Sequence, residues 1–137
     1  MLPDPGSHEG QFTILVLPGR LAVCRLSADA PIPEWASGSE LVSFMRTKDE
    51  LTVVCGEEGV PAGIRVEKGW RALKVKGPLE FSLVGVLASL TEPLADAEVG
   101  IFVLSSYDTD YILVKEADLS RANRALEGAG HMVKKYE

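Results

Sequence analysis

From Trp70 to the end of the chain, the spacing of apolar side chains switches between the period of a strand and the period of a helix. Trp70-Arg71-Ala72-Leu73-Lys74-Val75-Lys76 alternates apolar and polar residues, the pattern of a half-buried strand. Gly77-Pro78 ends it. Leu83, Leu87, Leu90, Leu94 and Ala97 then fall on one helical face, with Ser82 as an N-cap and Pro93 inside the helix. Pro93 has no N–H, so it removes the backbone bond to the carbonyl of Ser89. A near-continuous apolar run follows at 99–104, and a second at 111–114 after the polar loop 105–110. Asp118 is placed to cap a second helix with Leu119, Ala122 and Leu126 on its buried face, and Gly128 and Gly130 stop it. His131-Met132-Val133 supplies a last short strand. The order is β-α-β-β-α-β, the split βαβ or ferredoxin-like arrangement, with helices over one face of an antiparallel sheet.

The first half is poorer in helix signals. Phe12–Leu17 and Leu21–Leu26 read as strands joined at Pro18-Gly19, which makes them a candidate hairpin. Pro33 starts no more than a short helix over Glu34-Trp35-Ala36. Leu41–Arg46 and Leu51–Cys55 form a second hairpin around Thr47-Lys48-Asp49-Glu50. The breaker-rich segment 57–63 has room for one helical turn and is the expected subdomain boundary. The expected organisation is a flexible tail at 1–10, a first subdomain at 11–63 and a second at 64–137.

Several function classes lose support at this level. The net charge of −6, with no basic run longer than Lys134-Lys135, disfavours nucleic acid. No apolar run reaches membrane-spanning length, and residues 1–10 lack the apolar core of a signal peptide, so a cytoplasmic protein is expected. Cys24 and Cys55 sit in apolar runs without a CxxC spacing and read as buried thiols of a reducing compartment. With His8 and His131 the only histidines, neither near a cysteine, no metal site is expected and no cofactor is called for. No GxSxG, HExxH, Walker or GxGxxG pattern occurs, so the chain is read as non-catalytic.

The blocks Ser89–Ala97 and Ile101–Val114 resemble the tandem-ACT proteins of bacteria and are similar to the ACT repeats of the animal CASTOR arginine sensors. Leu17-Pro18-Gly19-Arg20 and Val23-Cys24-Arg25-Leu26 resemble the degenerate N-terminal repeat of the bacterial group. The resemblance covers roughly residues 11–134. It implies an α+β protein of two ACT-like subdomains, the first degenerate. It also implies a regulatory role, an amino-acid ligand bound at an interface between two ACT units, and a second copy or a regulated protein as partner. In the sensors, the segment matching Ser105-Ser106-Tyr107-Asp108-Thr109-Asp110 lines the ligand site, and an Asp at the position of Asp110 receives a guanidinium. The turn Glu80–Gly85 supplies backbone contacts. Leu83 stands where the sensors carry an acid, so the resemblance does not carry arginine itself across.

The residues give this site a physical reading of their own. A helix N-terminus after Glu80 and Phe81 favours a carboxylate, and Gly85 admits a close approach. Asp108 and Asp110 accept from ammonium or guanidinium, Ser105 and Ser106 offer hydroxyls, and Tyr107 offers a flat wall. The same Asp108-Thr109-Asp110 stretch is equally ordinary turn chemistry, Phe81 reads also as a core plug, and Gly85 as a packing position. The competing function is a structural or protein-interaction module that dimerises through its sheet with no ligand.

Overall fold

β-branched and leucine-rich runs set the strands, and proline and glycine set their ends. A computed structural model describes residues 11–79 and 84–136. Its strands are β1 (Thr13–Val16), β2 (Leu21–Leu26), β3 (Ser43–Arg46), β4 (Leu51–Gly56), β5 (Arg65–Val75), β6 (Ile101–Ser105), β7 (Asp110–Lys115) and β8 (Met132–Lys135). Its helices are α1 (Val86–Asp96) and α2 (Leu119–Gly128). The chain forms two compact units, one of residues 18–71 and one of residues 11–17 with 72–136.

In the 18–71 unit the sheet order is β3-β4-β2-β5. Read along the chain, this is the split βαβ order with both helices reduced to single 3-10 turns, Glu34–Ala36 and Glu57–Gly59. The cause lies in the connections. Residues 27–42 carry Pro31 and Pro33, three serines and Gly38, which break any longer helix. The core is Ala22, Cys24, Leu51, Val53 and Cys55, every second residue of the paired strands β2 and β4, closed by Ala36 and Val60. Cys24 pairs in register with Val53, and Cys55 with Ala22, so the two free thiols sit diagonally on one buried face. The 47–50 hairpin forms as expected, closed by Thr47 N–H on the Glu50 carbonyl at 2.9 Å.

In the other unit, α1 and α2 cover one face of the sheet. Val86, Leu90 and Leu94 of α1 and Ala122 and Leu126 of α2 pack on Leu73, Val75, Ile112, Val114 and Ile14. Burying one such leucine contributes about 1.5–3 kcal/mol. Strand pairing runs β6-β7-β5-β1-β8. The split βαβ order is present, with β1 taking the place between β5 and β8. Ile14 faces Val75 in the antiparallel pair and Val133 in the parallel one. The fold is α+β with two ferredoxin-like units, the first reduced.

Three local expectations are corrected. β1 and β2 are not a hairpin: β1 pairs with β5 and β8, and β2 with β4 and β5. Residues 11–17 accordingly group with 72–136, and the compact 18–71 unit runs into β5. α1 begins at Val86, after Gly85 at φ 82°, so the helical face is Val86-Leu90-Leu94 while Leu87 stays 37% exposed. Ser82, the expected cap, lies outside the described residues, as do Leu83 and the 1–10 tail. Asp118 makes no side-chain capping bond to α2; a 3-10 turn (Glu116–Asp118) leads in, and the Asp118 carboxylate pairs with Arg121 at 3.0 Å.

Candidate functional site

The polar hairpin between β6 and β7 is tied down at four points. Ser105 and Asp110 form its last strand pair, and the Ser105 hydroxyl donates to Asp110 Oδ1 at 2.5 Å. Ser106 and Thr109 close the turn, with Ser106 N–H on the Thr109 carbonyl at 2.8 Å and Thr109 N–H on Ser106 Oγ at 3.2 Å. The Thr109 hydroxyl, 4% exposed as a residue, donates to the Val75 carbonyl at 2.6 Å. The chain leaving β5 meets the same turn, where Leu79 N–H donates to the Asp108 carbonyl at 2.7 Å. Gly77 permits this approach: a Cβ there would lie 3.1 Å from the Asp108 carbonyl and 3.2 Å from Thr109 Cβ.

Opposite the hairpin stands the N-terminus of α1. Gly85 occupies the N-cap in a left-handed conformation with no side-chain capping bond. The first-turn amides of a helix have no intrahelical acceptor and carry the positive end of its dipole. Between the two elements lies a cleft of about 460 Å³, lined by Leu79, Gly85, residues 86–88 and the hairpin 105–110. Its described lining holds two carboxylates, Asp108 and Asp110, and no Lys or Arg. Tyr107 stands at the rim, 80% exposed.

Six of the residues singled out from sequence therefore meet in one place: Gly85, Ser105, Ser106, Tyr107, Asp108 and Asp110. Glu80 and Phe81 lie outside the described residues. Sequence reasoning did not select the apolar wall, Leu79, Val86 and Leu87, or the anchor Thr109. Leu87 carried a signal, being in the leucine stripe, but the stripe points equally to core. Among the described residues, no group of three or more His, Cys, Asp or Glu is placed to hold a metal ion. No helix among them is long and apolar enough to cross a membrane.

A family model for the ACT domain matches residues 65–128, the span that holds this cleft. A second model, for an N-terminal domain, matches residues 19–63. The solved structure of protein Atu0741 from Agrobacterium tumefaciens is 38% identical, with a TM-score of 0.87 and coverage of 93% of this chain and 95% of that one. Residues 65–128 are an ACT domain. This ACT-domain chain is also 33% identical over 90 residues to human CASTOR3P, covering 56% of itself and 55% of that protein. It is 33% identical over 95 residues to the bovine cytosolic arginine sensor for mTORC1 subunit 1, covering 61% of itself and 29% of that protein. The ACT-domain chain thus spans about half the length of the first of these relatives and less of the second. The blocks 89–97 and 101–114 that carried the resemblance fall inside the matched ACT span.

Proposed function

We propose that this ACT-domain protein is a cytoplasmic regulatory module that binds a free amino acid in the cleft between α1 and the 105–110 hairpin and catalyses no reaction. One observation carries the reading: the N-terminus of α1, where the N-cap Gly85 makes no side-chain capping bond, and residues Asp108 and Asp110 line one cleft of about 460 Å³. An amino acid is a zwitterion, and a helix N-terminus and carboxylates lining one cleft offer it complementary charges. Its carboxylate lies on the amides of residues 86–88, and its ammonium, or a side-chain cation, on Asp110. Leu79 and Leu87 cover its aliphatic part. Ser105 holds Asp110 in position, and Tyr107 closes the rim. Glu80 and Phe81 belong to the proposed site through their place in the sequence beside Leu79. A second copy of the chain over the open side, or a regulated partner protein, completes the proposal, since the cleft is shallow on its own.

The test is a thermal-shift screen of the twenty amino acids, with any hit repeated on Asp110→Ala. A ligand at a hundred times its dissociation constant stabilises by about 2.7 kcal/mol, a shift of several degrees for a domain of this size. Stabilisation by one class of amino acid, lost in Asp110→Ala, is the expected result. No shift with any of the twenty overturns the reading in favour of an interaction module without ligand.

A further inference from the structure

The 18–71 unit carries a cleft of its own, larger than the first at about 660 Å³. It lies where Pro18-Gly19-Arg20 enters β2, the segment 37–40 enters β3 and residues 56–59 leave β4. Its concavity comes from missing side chains. Gly19 and Gly38, at φ 84° and 98°, have nothing within 4 Å of an added Cβ. Gly59 has no room for one, since a Cβ would stand 2.6 Å from the Trp35 carbonyl. The two 3-10 turns that replace the helices of this unit therefore meet backbone to backbone at the edge of the cleft.

The polar floor is already committed. Glu57 accepts from the Gly69 N–H at 2.9 Å through Oε1 and pairs with Arg20 at 3.8 Å through Oε2. Ser39 Oγ accepts from the Gly56 N–H at 3.1 Å and donates to the Leu41 carbonyl at 2.8 Å. Two lining carboxylates are not committed. Glu40 and Glu58 are exposed and make no hydrogen bond or ion pair among the described residues. Trp35 lines the cleft and also packs on the core of the unit.

We propose that this cleft is a second binding site, for a small organic cation: an alkylammonium or guanidinium whose charged end is held by Glu40 and Glu58 and whose body lies on Trp35. With Arg20 and Glu57 neutralising one another, the remaining lining charge is that of the two free carboxylates. An indole is the best aromatic partner for a cation. The volume lies within the range that encloses a small ligand. The site is independent of the amino-acid cleft: it shares no lining residue with it.

The probe is agmatine, which has a guanidinium and an amine but no carboxylate. The chain has two tryptophans, so Trp70→Phe leaves Trp35 as the only indole emitter. Titration of that variant is expected to change its fluorescence saturably, with the affinity lowered about tenfold or more by Glu40→Gln with Glu58→Gln. The Trp35 indole N–H resonance of the otherwise unaltered protein gives the same titration if Trp70→Phe fails to fold. Asp110→Ala is expected to leave the response intact. Absence of a saturable change, a response unaltered by the paired Gln substitutions, an equal response to glutarate, or loss of the response in Asp110→Ala each overturns the proposal.

Discussion

His131 Nε2 lies 3.0 Å from the carbonyl of Ser89, the acceptor that Pro93 deprives of its helical donor. The other ring nitrogen accepts from Phe12 N–H at 3.0 Å, so Nε2 carries the proton and donates. The ring stacks on Phe12, with centroids 5.9 Å apart, and is almost fully buried. His131→Phe removes both bonds and leaves a buried donor and a buried acceptor unmade, at about 1–3 kcal/mol each. Chemical denaturation is expected to show a loss of that order. Pro93→Ala restores an N–H to the Ser89 carbonyl, so the double variant is expected to lose less than His131→Phe alone. Strict additivity in this cycle would refute the link.

Thr109 anchors the 105–110 hairpin through its hydroxyl. Thr109→Val keeps the shape but leaves the Val75 carbonyl without its donor. A stability loss of about 1–3 kcal/mol is expected in thermal melts. Thr109→Ser keeps the hydroxyl and is expected to retain most of the stability. Where an amino acid has been identified as ligand, Thr109→Val is expected to weaken it while Asp108 and Asp110 remain in place. Equal behaviour of the Val and Ser variants would remove the hydrogen bond from the account.

Burial pushes the Cys24 thiol up to about 11 from 9.0, with the neighbouring Cys55 adding to the rise. Cys55 is raised as well, chiefly by burial. The folded state keeps the protons that the unfolded chain sheds near pH 9. The stabilisation is thus complete below that pH and is lost as pH climbs toward 11. The slope is about 1.4 kcal/mol per pH unit, or about 2–3 kcal/mol over the window for Cys24. Urea denaturation at pH 8, 9, 10 and 11 is expected to show a steeper decline for the unaltered protein than for Cys24→Ala. Parallel declines would place the alkaline sensitivity elsewhere, in tyrosines or lysines.

What sequence reveals here is mostly what neighbours along the chain decide. The alternation at 70–76 and the runs at 21–26 and 51–55 locate strands because one buried face needs a period of two. The polar segment 105–110 is legible as a site because Ser, Tyr and Asp are concentrated between two apolar runs. The failures are long-range. Pro18-Gly19 has the chemistry of a hairpin turn, yet the partners of β1 lie beyond residue 70. The leucine spacing continues smoothly back to Leu83, whereas the helix starts at Val86, after Gly85 with its left-handed backbone. Thr109 looks like any turn residue until Val75, 34 positions away, accepts its hydroxyl. The cleft beside Trp35 is built from glycines, and a glycine leaves no chemical trace of the hollow it makes.

The position of β1 has a consequence for how the protein is made. On the ribosome residues 13–16 emerge before β5 and β8, the two strands they pair with. Phe12 and His131, joined by a hydrogen bond, are 119 positions apart. An apolar strand therefore waits with both edges bare until β5 is made and with one edge bare until β8 is made, and its unit closes only when β8 arrives. A ribosome stalled before residue 132 would hold a chain whose 18–71 segment already has all its strand partners, while its earliest strand still lacks one.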